Sequence, residues 1–209
     1  PRLPGQGPPP ARPKPSKIGQ ASRSTSSTMN EDRPPGTLRP RLVPAAIAAW
    51  AGYLVLDFLM HGVFLAAWWR AAEPYLLPTR DMVRLIPLGY ASFAIYCGAL
   101  TWLVERLYRG HVGVIAGLRF GAIAGLVFGL ASTLGTYSAL RMPPAALLVW
   151  PASVVVESAI AGALAAWVLV AARPWRRVGL VLCAVIVLFL VGVVIQNLFF
   201  PTPADHRIS

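Results

Sequence analysis

Apolar residues in this chain run in five long blocks with polar breaks between them, and that pattern leaves few folds open. Three breaks are short, ERLYRGH, RMPP and RPWRR, and one is longer, RAAEPYLLPTRD. A helix at the surface of a soluble protein keeps a polar face, whereas one that crosses a bilayer needs about 20 mostly apolar residues in succession. In hydrocarbon the backbone must satisfy its own hydrogen bonds, so each block is expected to be a helix. The spans read as residues 44–69, 86–107, 112–140, 144–172 and 178–200, with a short C-terminal tail at 201–209. Pro87 falls in the first turn of the second span, where its missing N–H costs little, and Pro151 is placed to kink the start of the fourth. The expected fold is an all-α integral membrane protein, a bundle of five transmembrane helices with a disordered N-terminal tail.

Composition agrees with this class. The chain is 56% hydrophobic and 13% charged, with a mean hydropathy of +0.59. Residues 1–42 differ from the rest, being rich in Pro, Ser, Gly and Arg with few large apolar groups. Such a segment buries too little surface to offset the entropy lost on ordering. Met29 opens a second candidate start, MNEDRPPGTLRPR, which makes residues 1–28 an expected upstream extension or processed leader. Trp50, Trp68, Trp69, Trp102, Tyr108, Trp150, Trp167 and Trp175 lie toward the ends of the blocks, where amphipathic rings favour the headgroup level.

The formal net charge of +11 points to membrane orientation rather than to nucleic acid. No basic stripe interleaved with aromatics is present, so no nucleic-acid partner is expected. Counted over alternate loops, thirteen Lys and Arg fall on the side of the N-terminus and five on the other, with Arg119 inside a span. Without residues 1–28 the count is eight against five, of the same sign. The expectation is a cytoplasmic N-terminus and an outer C-terminus, in the cytoplasmic membrane of a bacterium.

The third span carries glycine at every fourth position, Gly113, Gly117, Gly121, Gly125 and Gly129, in GVIAGLRFGAIAGLVFG. Each would weaken a helix in water by about 1 kcal/mol relative to Ala, but in a bilayer the row becomes a ridge on which another helix can pack closely. That neighbour is expected either within the bundle or in a second copy. Arg119 is rotated about 160° from Gly121, so it serves a different neighbour or snorkels to the headgroups.

Ionisable groups inside spans are costly and need a partner or an aqueous cavity. Tyr53, Asp57 and His61 are spaced four apart in the first span and stack on one face of a helix. Glu157, near the middle of the fourth span, shares a face with Ser153, Ala161 and Ala165. Three readings of these groups stay open. Asp57, His61 and Glu157 can form a hydrogen-bonded cluster that holds helices together, with Arg119 as counter-charge. Tyr53, Asp57, His61, Arg119 and Glu157 can instead carry protons or ions. Asp57, His61 and Glu157 can also bind a divalent metal, since one imidazole and two carboxylates suit zinc, iron or manganese.

Other chemistry is sparse. A softer polar line in the second span, Tyr90, Cys97, Thr101 and Glu105, ends at the interface beside Arg106. Cys97 and Cys183 lie in different spans and form no CxxC pair. His111 and His206 fall outside the spans, so two-histidine haem ligation within the bilayer has no support. No phosphate-binding loop, zinc-protease motif or serine nucleophile elbow is present. Gln196 and Asn197 sit near the end of the fifth span. The residues therefore favour a non-enzymatic accessory or self-associating membrane subunit whose buried polar groups fix helix packing. The alternative is a proton- or metal-linked transporter or membrane enzyme. The lipid bilayer is the expected partner, with a homo-oligomer or a larger membrane complex built on the glycine ridge.

Overall fold

The computed structural model describes residues 39–71, 79–108, 113–139 and 144–199. Most of the expected N-terminal tail, His111 and the C-terminal tail lie outside them. The described residues are all-helical, without strands, and five helices are long and apolar enough to cross a membrane. The first crossing joins α1 (Arg39–Asp57) to a π-helical turn (Phe58–Phe64) and is followed by the short α2 (Ala66–Ala71). The remaining four are α3 (Thr79–Tyr108), α4 (Val114–Ala139), α5 (Ala146–Leu169) and α6 (Pro174–Phe199).

Helix α1 begins within the segment that composition marks as tail, because Arg39, Pro40 and Arg41 are all compatible with a first turn. Arg41 donates to the Leu169 carbonyl at the C-terminus of α5, and Arg177 donates to the Trp167 carbonyl while its guanidinium lies 4.8 Å from the centroid of the Trp167 ring. Two arginines thus satisfy carbonyls that α5 leaves unpaired at its end. The same end of the bundle holds the start of α1, the end of α3 and the start of α6, since Ala45, Tyr108, Leu169 and Val178 belong to one packed cluster.

Helix α5 is the most buried of the five and touches α1, α3, α4 and α6. Its sequence explains the position, for it carries two ridges of small residues one position apart. Val154, Ser158, Gly162 and Ala166 meet α4, while Ala161 and Ala165 pack with Ala49 and Tyr53 of α1 and with Cys97 and Leu100 of α3. Contacts between helices in a bilayer rely on close van der Waals packing, and small side chains let the backbones approach.

The glycine ridge of α4 is used within the chain. A Cβ on Gly117 would overlap the Gly162 carbonyl and Ala166, and one on Gly121 would overlap the Ser158 carbonyl. At Gly125 the added carbon would lie 2.7 Å from the Val154 carbonyl oxygen, and at Gly129 it would lie 3.1 Å from Pro151 Cα. Gly113 departs from the expected row: it precedes α4, is exposed, and faces open space. The antiparallel helices diverge there because α5 is already near its end at Ala166.

Most side chains on the outer faces of α4 and α6, such as Ile123, Val127, Ile186 and Leu190, are large, apolar and exposed, as contact with lipid tails requires. Replacing Gly121 by Ile is expected to cost about 1–3 kcal/mol or more through overpacking, a fall of about 2–12 °C in thermal unfolding midpoint for a chain of this length. Gly113→Ala should leave the midpoint within about 2 °C. Thermal unfolding in detergent checks both, and equal responses would contradict the assigned packing.

Candidate functional site

The alanine-rich packing near the arginine-bearing end gives way, further along α1, to aromatic and then ionisable side chains. Tyr53 is buried, with its ring centroid 4.9 Å from that of Phe93 and 5.8 Å from that of Tyr96. One turn on, Asp57 ends the regular α-helix, and the chain enters the π turn that holds His61. The sequence reads as one uninterrupted span here, without a proline to mark a break. The wider turn closes through Leu65 N–H donating to the Met60 carbonyl at 2.8 Å. An extra residue in the turn changes the direction of everything after it, a common device at functional sites.

The change of direction brings Trp69 of α2 back over His61. Its indole Nε1 donates to His61 Nδ1 at 2.8 Å. Trp69 in turn contacts the rings of Trp68 and Trp150 edge-on, at 4.7 and 5.8 Å between centroids. An indole nitrogen only donates, so His61 Nδ1 bears no proton and the neutral ring carries its proton on Nε2. That nitrogen faces three acceptors: Ser153 Oγ at 3.3 Å, Glu157 Oε1 at 3.6 Å and Asp57 Oδ1 at 3.8 Å.

Glu157 arrives on the α5 ridge that packs against α1. Its side chain is 1% exposed, against 29% for Asp57 and 20% for His61. Ser153 gives its own proton to the Trp150 carbonyl at 2.8 Å and so cannot satisfy the carboxylates. Tyr53 lines the same cavity from α1, yet Glu157 Oε1 is buried without a hydrogen-bond partner among the described residues. Two carboxylates thus present four oxygens to very few donors. Such a deficit is uncommon in a folded interior, where buried polar atoms are almost always paired.

These groups line a cavity of about 280 Å³ together with Phe93, Phe128, Ser132 and Val154. One oxygen each from Asp57 and Glu157 and one nitrogen of His61 lie within 4.8 Å of one another. Tyr53, Asp57, His61 and Glu157 are therefore gathered at one place. Arg119 is not. It is exposed on α4, forms no ion pair among the described residues, and lies about 9 Å along the helix from the level of Gly125, which packs beside Ser158. Its place on the face opposite the glycines keeps it from acting as counter-charge, a correction to the sequence expectation.

The polar line of the second span has a different fate. Cys97 and Thr101 are buried, with the Thr101 hydroxyl donating to the Cys97 carbonyl at 2.7 Å, while Tyr90 is exposed. Tyr96, absent from that line, shares a hydrogen bond of 2.8 Å with Ser158. Cys97 and Cys183 are free thiols. Asn197 bonds the Val193 carbonyl of its own helix at 2.9 Å.

Trp69 and Trp150 read in the sequence only as interfacial aromatics. Trp69 follows His61 by eight residues, about 12 Å along a regular helix, so the spacing carries no sign of contact and the π turn is what brings the two together. Comparison with protein-family models, curated proteins and solved structures finds no match to this chain. A double-mutant cycle on Trp69→Phe and His61→Phe is expected to give a coupling of about 0.5–1.5 kcal/mol in thermal or denaturant unfolding. Independent effects of the two substitutions would rule out the indole–imidazole bond.

Proposed function

We propose that this chain is a multi-pass membrane protein whose working part is the cation-accepting cavity between α1, α4 and α5. That reading groups it with proton- or metal-linked transporters and membrane enzymes. The observation that carries it is the donor deficit around Glu157: a buried carboxylate oxygen without a hydrogen-bond partner, beside a second carboxylate and a ring nitrogen. A cluster kept only to hold helices together gains most when each member is satisfied, since an incompletely paired polar network costs more than an apolar core. A proton or a metal ion supplies the missing positive charge.

The same cavity has a more exposed and a sealed side. Asp57 is the more exposed carboxylate and Glu157 the sealed one, so a cation entering the cavity meets Asp57 first. With the arginine-bearing end taken as cytoplasmic, the site lies toward the outer half of the bilayer, beneath Trp69 and Trp150. The self-associating alternative loses one support, because Gly117, Gly121, Gly125 and Gly129 already face α5. The wide apolar surfaces of α3 and α6 are covered by lipid in this reading.

Two measurements test it. Asp57→Asn and Glu157→Gln are expected to fold with midpoints within about 4 °C of the wild type, whereas breaking a buried pair that holds helices together costs about 3–5 kcal/mol, or about 6–20 °C. A membrane-permeant carbodiimide is expected to modify Asp57 or Glu157 in intact membranes, as read by peptide mass spectrometry. Large destabilisation in both variants, or carboxylates inert to the reagent in folded protein, would return the cluster to a packing role.

A further inference from the structure

We infer that Asp57, His61 and Glu157 are the ligands of a divalent transition-metal site, and that Trp69 is the positioning residue that holds its imidazole ligand in the unloaded tautomer. The inference rests on the cation-accepting reading of the cavity and names the cation. Ligands about 2.1 Å from a tetrahedral ion lie about 3.4 Å from one another. His61 Nε2 is 3.6 Å from Glu157 Oε1 and 3.8 Å from Asp57 Oδ1, close to those tetrahedral edges before any ion is added. The full set spans no more than 4.8 Å, so a closure of at most about 1.4 Å completes three corners. Glu157 supplies the independent sign of a ligand, being 1% exposed with Oε1 unpartnered and directed at the ring.

One imidazole nitrogen and two carboxylate oxygens suit zinc, iron(II) or manganese(II), and are too few oxygens for calcium. A fourth coordination position would face the cavity of about 280 Å³, which has room for water or a small ligand. The protein ligands come from neighbouring turns of the first crossing and from the middle of α5. Glu157 comes from the most buried helix, and Asp57 and His61 are half-buried beside it.

Trp69 determines whether the imidazole can join. A metal needs the lone pair of Nε2, which the ring can offer only when its single proton is on Nδ1. Metal-bound histidines normally give that second N–H to an acceptor. Here the group at Nδ1 is the indole N–H of Trp69, itself a donor, at 2.8 Å. Loading therefore moves the ring proton from Nε2 to Nδ1 by exchange with solvent in the cavity, the ring staying neutral, and the indole must let go. Trp69 thus opposes metal binding.

The test uses the full chain in detergent, stripped of metal and titrated with zinc(II) or manganese(II), with affinity from calorimetry and bound metal from mass spectrometry. Expected is one equivalent of zinc in the wild type, binding reduced to background in Glu157→Gln and His61→Gln, and no competition from magnesium. Trp69→Phe should tighten zinc binding by roughly five- to tenfold, the value of one lost hydrogen bond in the unloaded state. A purely structural role for the indole would weaken binding instead, and that result would overturn the assignment to Trp69. Folded wild type that takes up no stoichiometric zinc or manganese, or uptake that survives in both ligand variants, would overturn the metal site. If carbodiimide still modifies Asp57 or Glu157 in that case, the cation-accepting cavity stands and only the metal assignment fails. If neither metal nor carbodiimide reaches the carboxylates, both readings fall together.

Discussion

The close approach of α4 to α5 organises the rest of the bundle. Hydrocarbon offers no hydrophobic drive for one apolar helix to leave lipid for another, so association depends on how much backbone and side-chain surface can be brought into van der Waals contact. Four glycines on α4 face Val154, Ser158, Gly162 and Ala166 on α5, and nearly every hypothetical Cβ on that row would overlap its neighbour. With one ridge fixed on α4, the adjacent ridge of α5 is turned toward α1 and α3. Glu157 lies on that second ridge, so the packing of glycines on one side of α5 sets the depth and direction of a carboxylate on the other.

The first crossing meets Glu157 with an irregularity of its own. Up to Asp57 the helix is regular, and the π turn from Phe58 to Phe64 then redirects the chain. Phe58 and Leu59 of that turn lie against Gly192 of α6, and the Phe58 ring lies tilted against that of Phe189, 4.7 Å between centroids. Packing on α6 thus supports the turn from outside while His61 points inward from it. The consequence is electrostatic: a low-dielectric site collects two carboxylates and one imidazole, and Trp69 takes up the nitrogen on the far side of the ring. Among the described residues no Lys or Arg pairs with them, and the arginines whose contacts are described cluster at the opposite end of α5.

Several elements were legible before any coordinates. The apolar blocks mark all five crossings, because a bilayer imposes a length and an internal hydrogen-bonding rule that few other environments share. The glycine row marks a contact surface, and the four-residue spacing of Tyr53, Asp57 and His61 marks a polar face. Other features needed three dimensions. Gly113 shares the spacing of the row but not its contact, because α5 ends before it can be met. Arg119 shares its span with the glycines but not their direction or depth. The π turn has no proline to announce it, and from it Phe58 faces α6 while His61 faces the cavity. The small residues of α5 that receive α4 were visible as a spacing, yet their partner was not.

The sequence by itself determined the class of molecule, the number of crossings and the residue types able to carry chemistry within them, because each follows from the cost of exposing polar groups to hydrocarbon. Within the crossings it supplied carboxylate, imidazole, phenol, thiol and guanidinium, without a recognisable nucleotide or nucleophile motif. Only the tertiary structure decided which of these groups meet. Helix rotation and register are set by contacts between residues far apart in the chain, and local spacing cannot fix them. Those contacts turn Glu157 toward His61, leave Arg119 outside, and place the indole of Trp69 on the one ring nitrogen that decides what His61 can bind.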